Sequence, residues 1–206
     1  MILRMSPSRS YHHGNLRASL LDEAARMIAE NGVASVTMRA IGERLGVSRA
    51  APYRHFPDKT SLLAAVAAVG FEDLNEQLLQ VDAGASDSGL ARFRRLGEAY
   101  VRFALDHPAH YRLMYGEQSL ERAEAPELRA AADNLFGHLV TVIESQQAAG
   151  RVKREDPQVL AYIAWSAMHG LASLLIDGQI DAATDIDRLI RHATQTVLDG
   201  MRAGAD

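Results

Sequence analysis

Between residues 48 and 59 the chain carries Ser48, Arg49, Tyr53, Arg54, His55 and Lys59, with no carboxylate between Glu43 and Asp58. Two guanidiniums, an ammonium, a phenol, an imidazole and a hydroxyl are all hydrogen-bond donors. A donor cluster with no acid to neutralise it suits an anionic polymer. A guanidinium at a groove floor can donate to guanine O6 and N7, or it can hold phosphate. Ala50 and Ala51 are small enough for the backbone to approach closely, and Ala50 can touch a thymine methyl. The competing reading is a pair of packed surface helices that binds nothing, but an ordinary solvated helix mixes charge signs.

Other chemistry is thinly supported. There is no Gly-x-Ser-x-Gly, no phosphate-cradling glycine loop, no dinucleotide fingerprint and no His-Glu-x-x-His. The eight histidines are scattered. Only His107 and His110 have ligand-like spacing, with Asp106 beside them and Glu117 further on, and this is too little for a metal centre. The chain has no cysteine, which excludes thiolate ligands and disulfides. No enzyme activity, cofactor or metal is expected.

The donors need a scaffold. Met38, Ile41 and Leu45 fall at i, i+3 and i+7, which predicts a short helix with one buried stripe, capped by Thr37. Gly46 follows where the chain must turn, and Val47 is placed to plug the corner. Ser48 is a second N-cap, opening a helix that displays Arg49, Tyr53, Arg54 and His55. Pro52 is the fifth residue counted from Ser48 and cannot donate back to it, so the first turn there is expected to be tight or distorted. A supporting helix is predicted over 14–31, stopped by Asn31-Gly32 with Gly32 left-handed, then joined through Val33 and Val36. Asp58 should cap a long helix over 59–79. Residues 1–11 read as a flexible arm whose Arg4 and Arg9 can reach DNA; a tail with incidental charge is the competing reading. Helix, glycine turn and donor-rich second helix is the helix-turn-helix plan, whose second helix enters the major groove.

Gly46-Val47-Ser48, Tyr53, His55-Phe56 and Asp58-Lys59-x-x-Leu62 also resemble the DNA-binding domain of the tetracycline-repressor (TetR) family, closely over about residues 12–65. That resemblance implies that Thr37, Tyr53, His55 and Lys59 hold phosphates. Ser48 is assigned to its cap, and Arg49 and Arg54 are left as candidate base readers. Trp165-Ser-Ala-Met-His169-Gly170, and Tyr11 to Leu16 at the start, resemble one branch of the family with a Trp-x-x-x-His-Gly signature in its C-terminal domain.

The 206 residues suffice for one or two domains, and 48% hydrophobic with 6% aromatic favours helices over sheet. Net charge is −4, but residues 1–60 hold nine Lys+Arg against five Asp+Glu, and the remainder thirteen against twenty-one. A basic head on an acidic body allows the head alone to meet phosphate. No secretory signal is expected. Helices are predicted over 90–106, 109–115, 126–149, 158–177 and 185–202, with loops over 82–89, 117–125 and 150–157. The twenty residues 157–176 carry no charge. They meet the length of a membrane span, yet Gln158, Tyr162, Ser166, His169 and Ser173 favour a helix buried on both sides. With the stripe of the last helix this suggests a four-helix dimer interface using Ser166, Gly170, Ser173, Ile186, Leu189, Ile190, Ala193 and Val197. Met201 continues that stripe.

Tyr100, Phe103, Tyr111, Met114, Phe136, His138, Trp165, Met168 and His169 are candidates to enclose an apolar effector, Leu135 beside them, although each also reads as core. Trp165 and His169 stack on one helix face, and packing at a helix crossing is the alternative. The sequence therefore predicts an all-α protein. Residues 12–70 would be a three-helix helix-turn-helix DNA-binding domain, linked by a long helix to a larger helical effector-binding and dimerisation domain, 71–206. The expected protein is a cytoplasmic homodimer on a pseudo-palindromic operator, a repressor released by a small apolar effector and not a membrane protein. A DNA-binding or interaction module with no effector is the alternative.

Overall fold

The structure is a computed structural model, described here for residues 15–83, 89–116 and 125–203. Among these residues the regular structure is helical, apart from one isolated antiparallel bridge between Val152 and Arg202. The helices are α1 (Leu16–Asn31), α2 (Met38–Arg44), α3 (Lys59–Ala83), α4 (Leu90–Asp106), α5 (Pro108–Tyr115), α6 (Pro126–Ala148), α7 (Pro157–Ile176) and α8 (Ile186–Met201). Short 3₁₀ turns lie at Val33–Ser35 and Pro52–Arg54.

Polar caps start several of these helices, Thr37 and Asp58 among them as expected. Asn15 accepts from the Ala18 amide at 3.2 Å, Thr37 from Ala40 at 3.1 Å and Asp58 from Ser61 at 2.7 Å. Asp156 accepts from Gln158 at 2.8 Å, and Asp185 from Arg188 at 2.9 Å. Each satisfies an amide that the helix itself leaves open. Gly46 has φ +65°, the backbone that the turn after α2 requires. Gly32 has φ +75° as expected, but its ψ of 170° is extended rather than left-handed helical. The arm at 1–11 and the motif at Tyr11–Gly14 fall outside the described residues, as do 84–88 and 117–124 of the predicted loops. α3 continues to Ala83, beyond the predicted end.

Two compact units form. The first gathers residues through Asp73 with His107–Ala132, and the second Leu74–Asp106 with Asp133–Asp206. In the first, Leu20, Ala24, Ile28, Val36, Ile41, Phe56, Leu62 and Val66 are buried. Met114 of α5 lies so close to Gly70 of α3 that a Cβ there would sit 2.9 Å from its sulfur. In the second, α4, α7 and α8 pack on one another around Val101, Ala104, Leu160, Ala164, Ile190 and Leu198. Gly97 permits close approach of α4 to α8: a Cβ there would stand 2.8 Å from Thr194 Cγ2. Burying each such aliphatic side chain contributes about 1.5–3 kcal/mol.

α7 has the length and apolarity of a membrane span. Its buried side faces α4 and α8, while Val159, Tyr162, Ile163 and Leu174 are about half exposed. Ser166 and Ala167 complete this uncharged outer face, with Gly170 and Ser173 half-buried beside it. On α8, Ile186 is exposed and Leu189, Ala193 and Val197 are half-buried. Ile190 corrects the predicted interface: it is 1% exposed, in its own subunit's core. The stripe on α8 is wide enough that its centre turns inward.

Candidate nucleic-acid interface

The reading segment is not an α-helix. After Gly46 the chain passes through turns into the 3₁₀ turn Pro52–Arg54. Its bonds run three residues back, Ala51 N–H to Ser48 O at 3.0 Å, Arg54 N–H to Ala51 O at 3.2 Å and His55 N–H to Pro52 O at 3.0 Å. Pro52 lacks the amide that a four-residue-back bond to Ser48 needs, so the expected tight turn extends over the whole segment. Pro52 is buried, and a Cβ on Gly42 would stand 3.6 Å from its ring. The proline ring thus seats the turn on α2. Val47 contributes to the same corner, its amide donating to Gly42 O at 3.0 Å.

This seating exposes Ser48, Arg49, Ala50, Tyr53, Arg54 and His55 together, and Thr37 at the start of α2 is exposed as well. The Ser48 hydroxyl caps nothing among the described residues, contrary to its predicted commitment, because no helix begins there. Tyr53 is 55% exposed, a large apolar ring left in solvent. Phe56, three residues on, is buried, with the Arg17 guanidinium 5.4 Å above its ring.

Charge pairing divides the head's cations. Arg17 binds Glu127 at 2.7 Å, Arg26 binds Glu23 at 2.9 Å and Arg39 binds Glu43 at 2.7 Å. Arg44 bridges Glu23 and Glu30, both at 3.0 Å. Lys59 donates to the Val33 carbonyl at 3.1 Å, so its ammonium is partly spent inside the protein and keeps two donors for phosphate. Arg49 and Arg54 have no ion-pair partner among the described residues. The carboxyl of Glu43 is held below the usual range, chiefly by its hydrogen bond and charge attraction to Arg39, with Arg49 adding a smaller pull. Asp58 is lowered by the Ser61 hydroxyl and amide that it caps.

Glu23 escaped the sequence reading. It is 3% exposed, an acid on the same α1 stripe as Leu20, Ala24 and Met27. A carboxylate inside an apolar stripe was the available signal, because such a group requires a cation nearby.

The effector candidates are divided between the two units. Tyr111 and Met114 belong to the first unit, Tyr111 against Tyr115 with centroids 4.9 Å apart. The others belong to the second. There the Trp165 indole donates to the Tyr100 hydroxyl at 3.1 Å, and that hydroxyl lies 3.4 Å from His169 Nδ1. Phe136 meets the Trp165 ring edge-on at 6.2 Å and stacks on Tyr162 at 4.6 Å. Phe103 and Met168 are buried. His138 faces Asn75 Oδ1 at 3.2 Å and Asp82 at 3.6 Å, and Asp82 is also paired with Arg92. Burial lowers the pKa of His138, with the Arg92 charge adding to it, and burial lowers that of His169. A cleft of about 560 Å³ lies in the first unit among Arg17, Phe56, Asp58, Ser61, Ala65 and Glu127, and none of the nine effector candidates lines it. No group of three metal-ligating side chains occurs among the described residues. His110 is buried, and Glu117 lies outside the described residues.

Helix α2, the Gly46 turn and the 3₁₀ segment that exposes Arg49, Tyr53 and Arg54 define an all-helical protein with a donor-rich turn beside α2. Comparison with known proteins gives the particular family. Residues 20–66 match the bacterial regulatory proteins of the tetR family, and residues 93–197 the tetracyclin repressor-like C-terminal domain. The chain belongs to the TetR family and is a helix-turn-helix transcriptional regulator. It is similar to a solved protein of unknown function from Rhodococcus sp. RHA1, with 34% identity, TM-score 0.84, and coverage of 96% of this chain and 100% of that one. The uncharacterized HTH-type transcriptional regulator YobS of Bacillus subtilis (strain 168) is 24% identical over 190 residues, 91% of this chain and 93% of YobS. The nucleoid occlusion factor SlmA of Alteromonas mediterranea is 28% identical over 152 residues, 71% of this chain and 76% of SlmA.

Proposed function

We propose that this regulator is a homodimeric repressor whose two heads read the half-sites of a pseudo-palindromic operator. The observation that carries this reading is the exposure of unpaired Arg49 and Arg54 around Tyr53 on a turn seated by Pro52. In it Arg49 and Arg54 take bases or phosphates, and Thr37, Ser48, Tyr53, His55 and Lys59 take the backbone. Ala50 approaches a base edge. Residues 12–70 serve DNA binding and 71–206 serve effector binding and dimerisation, in the cytoplasm. The uncharged outer face of α7, with Ile186, Leu189, Ala193 and Val197 of α8, meets the same face of a second copy and buries what is exposed in one chain. Two heads then fall about 34–36 Å apart, or a multiple, to match successive major grooves. Trp165, His169 and Gly170 support placement in the Trp-x-x-x-His-Gly branch. A small apolar effector enters beside Tyr100, Trp165 and His169, changes the spacing of the heads and weakens DNA binding.

One observation favours a second reading, a dimeric DNA-binding module without an effector. Tyr100, Phe103 and Met168 are buried side chains, as residues of a packed core are. A gel shift on the DNA upstream of the protein's own gene tests the common core, with Arg49→Ala/Tyr53→Ala as control. A shift abolished in the double variant supports the reading head. An unchanged shift in that variant refutes it. Release of the bound DNA by a compound from an apolar library, lost in Trp165→Ala, then separates the repressor with an effector from the module without one.

A further inference from the structure

α1 places Glu23 and Glu30 two turns apart on one face, and a single guanidinium spans them. Arg44 Nη1 lies 3.0 Å from Glu23 Oε1, and its Nη2 lies 3.0 Å from Glu30 Oε2. The other oxygen of Glu23 takes Arg26 Nη1 at 2.9 Å. The Glu23 side chain is 4% exposed, so its orientation is set by packing as well as by charge. Arg44 is the last residue of α2. Only Leu45 to Ser48 separate it from Arg49, and Gly46 in that interval holds a positive φ. A planar fork bonded at both tips fixes direction as well as distance, which a point charge cannot do.

We propose that Glu23 is a positioning residue for DNA reading: with Glu30 it clamps the Arg44 guanidinium, and the clamp sets the angle at which the turn carrying Arg49, Tyr53 and Arg54 is presented. The clamp also holds the Arg44 guanidinium away from phosphate. Sequence-independent phosphate contacts raise affinity for all DNA equally and leave the ratio of affinities unchanged, so discrimination rests on how the turn is presented. Glu23 therefore improves selectivity without touching DNA. This inference rests on the turn being the reading element.

The test uses the full-length protein on two duplexes of equal length, its operator and a scrambled version, with affinity read by fluorescence anisotropy and folding by thermal melting. Glu23→Gln keeps shape and burial and removes the charge. Arg44→Lys keeps the charge and loses the fork. Both are expected to weaken operator binding about tenfold or more while binding to the scrambled duplex is unchanged or tighter, so the ratio of the two affinities collapses. Glu23→Asp, which restores the charge on a shorter arm, is expected to recover part of that ratio. Wild-type ratios in folded Glu23→Gln and Arg44→Lys overturn the proposal. So does equal weakening on both duplexes, or loss of the fold in both variants, since each marks Glu23 as a stabiliser only. If the wild-type protein itself fails to distinguish the duplexes, the reading-turn assignment has failed, and that outcome precedes any variant.

Discussion

The pairing of cations in the head predicts how DNA binding responds to salt. Of the seven lysines and arginines between residues 15 and 60, Arg17, Arg26, Arg39 and Arg44 are in ion pairs and Lys59 is bonded to Val33. Arg49 and Arg54 remain. A guanidinium already neutralised by a carboxylate must break that pair before it displaces a counterion from DNA, so it adds little to the salt slope. Two free cations per head give about four in a dimer, and the slope of log K against log salt is then about −3.6. Raising salt from about 50 to 200 mM would weaken binding roughly 150-fold. If Lys59 turns its remaining donors to phosphate, the count is about six, the slope about −5.4 and the loss about 1,800-fold. If every cation in the head reached DNA, the count would be about fourteen and the slope about −12.6.

The assay is anisotropy on a short operator duplex across that salt range. It is done in an Arg4→Ala/Arg9→Ala background so that the arm adds nothing. Arg49→Ala should make the slope shallower by about 1.8, one phosphate per head. A slope steeper than about −9 would refute the reasoning, because the pairs would then open onto the backbone rather than hold their arginines back.

Three further outcomes follow from packing and titration. Gly97→Ala places a methyl 2.8 Å from Thr194 Cγ2 and 3.4 Å from Met168 Sδ. Overpacking of about 1–3 kcal/mol should exceed the gain in helix propensity of about 1 kcal/mol, and chemical denaturation should show net destabilisation; a more stable variant would mean that α4 and α8 separate without cost. His110 is buried with Nε2 unpartnered among the described residues, and burial, helped by His107, pushes its pKa from 6.5 down to about 4. The unfolded chain takes up this proton near pH 6.5 and the folded chain only near 4, so folding is penalised progressively as pH falls through that window. The penalty is up to about 3 kcal/mol, and His110→Leu should flatten the dependence of denaturation midpoint on pH between 7.5 and 4.5; a parallel profile would place the titration elsewhere. Ile163→Arg puts a charge in the centre of the uncharged outer face of α7 and should convert a sedimenting dimer to monomer. A dimer of unchanged strength would move the interface off α7.

The sequence by itself determined what depends on a few neighbouring residues. Periodicity of Met38, Ile41 and Leu45, and of the apolar residues of α1 and α7, is a local property, and so are the caps Thr37 and Asp58. Gly46 was legible as a turn because only its own backbone conformation is at stake. All the candidate DNA contacts except Thr37 were legible together because Ser48 to Lys59 lie within twelve residues. Tertiary structure decided everything set by partners remote in the chain. Whether an arginine is free is one such property: Arg17 looks as available as Arg49 until Glu127, 110 residues away, is brought beside it. Lys59 and Val33, and Arg44 with Glu23 and Glu30, are cases of the same kind. Burial is another. Ile190 and Ile186 share one stripe, but only packing against the rest of the second unit shows which is core and which is surface. Pro52 stands between the two. The sequence shows that it cannot complete an α-helix from Ser48, and only its seat against Gly42 shows that the segment settles as a 3₁₀ turn. Local bonding is encoded over a turn of helix, whereas neutralisation and burial depend on which surfaces the folded chain brings into contact.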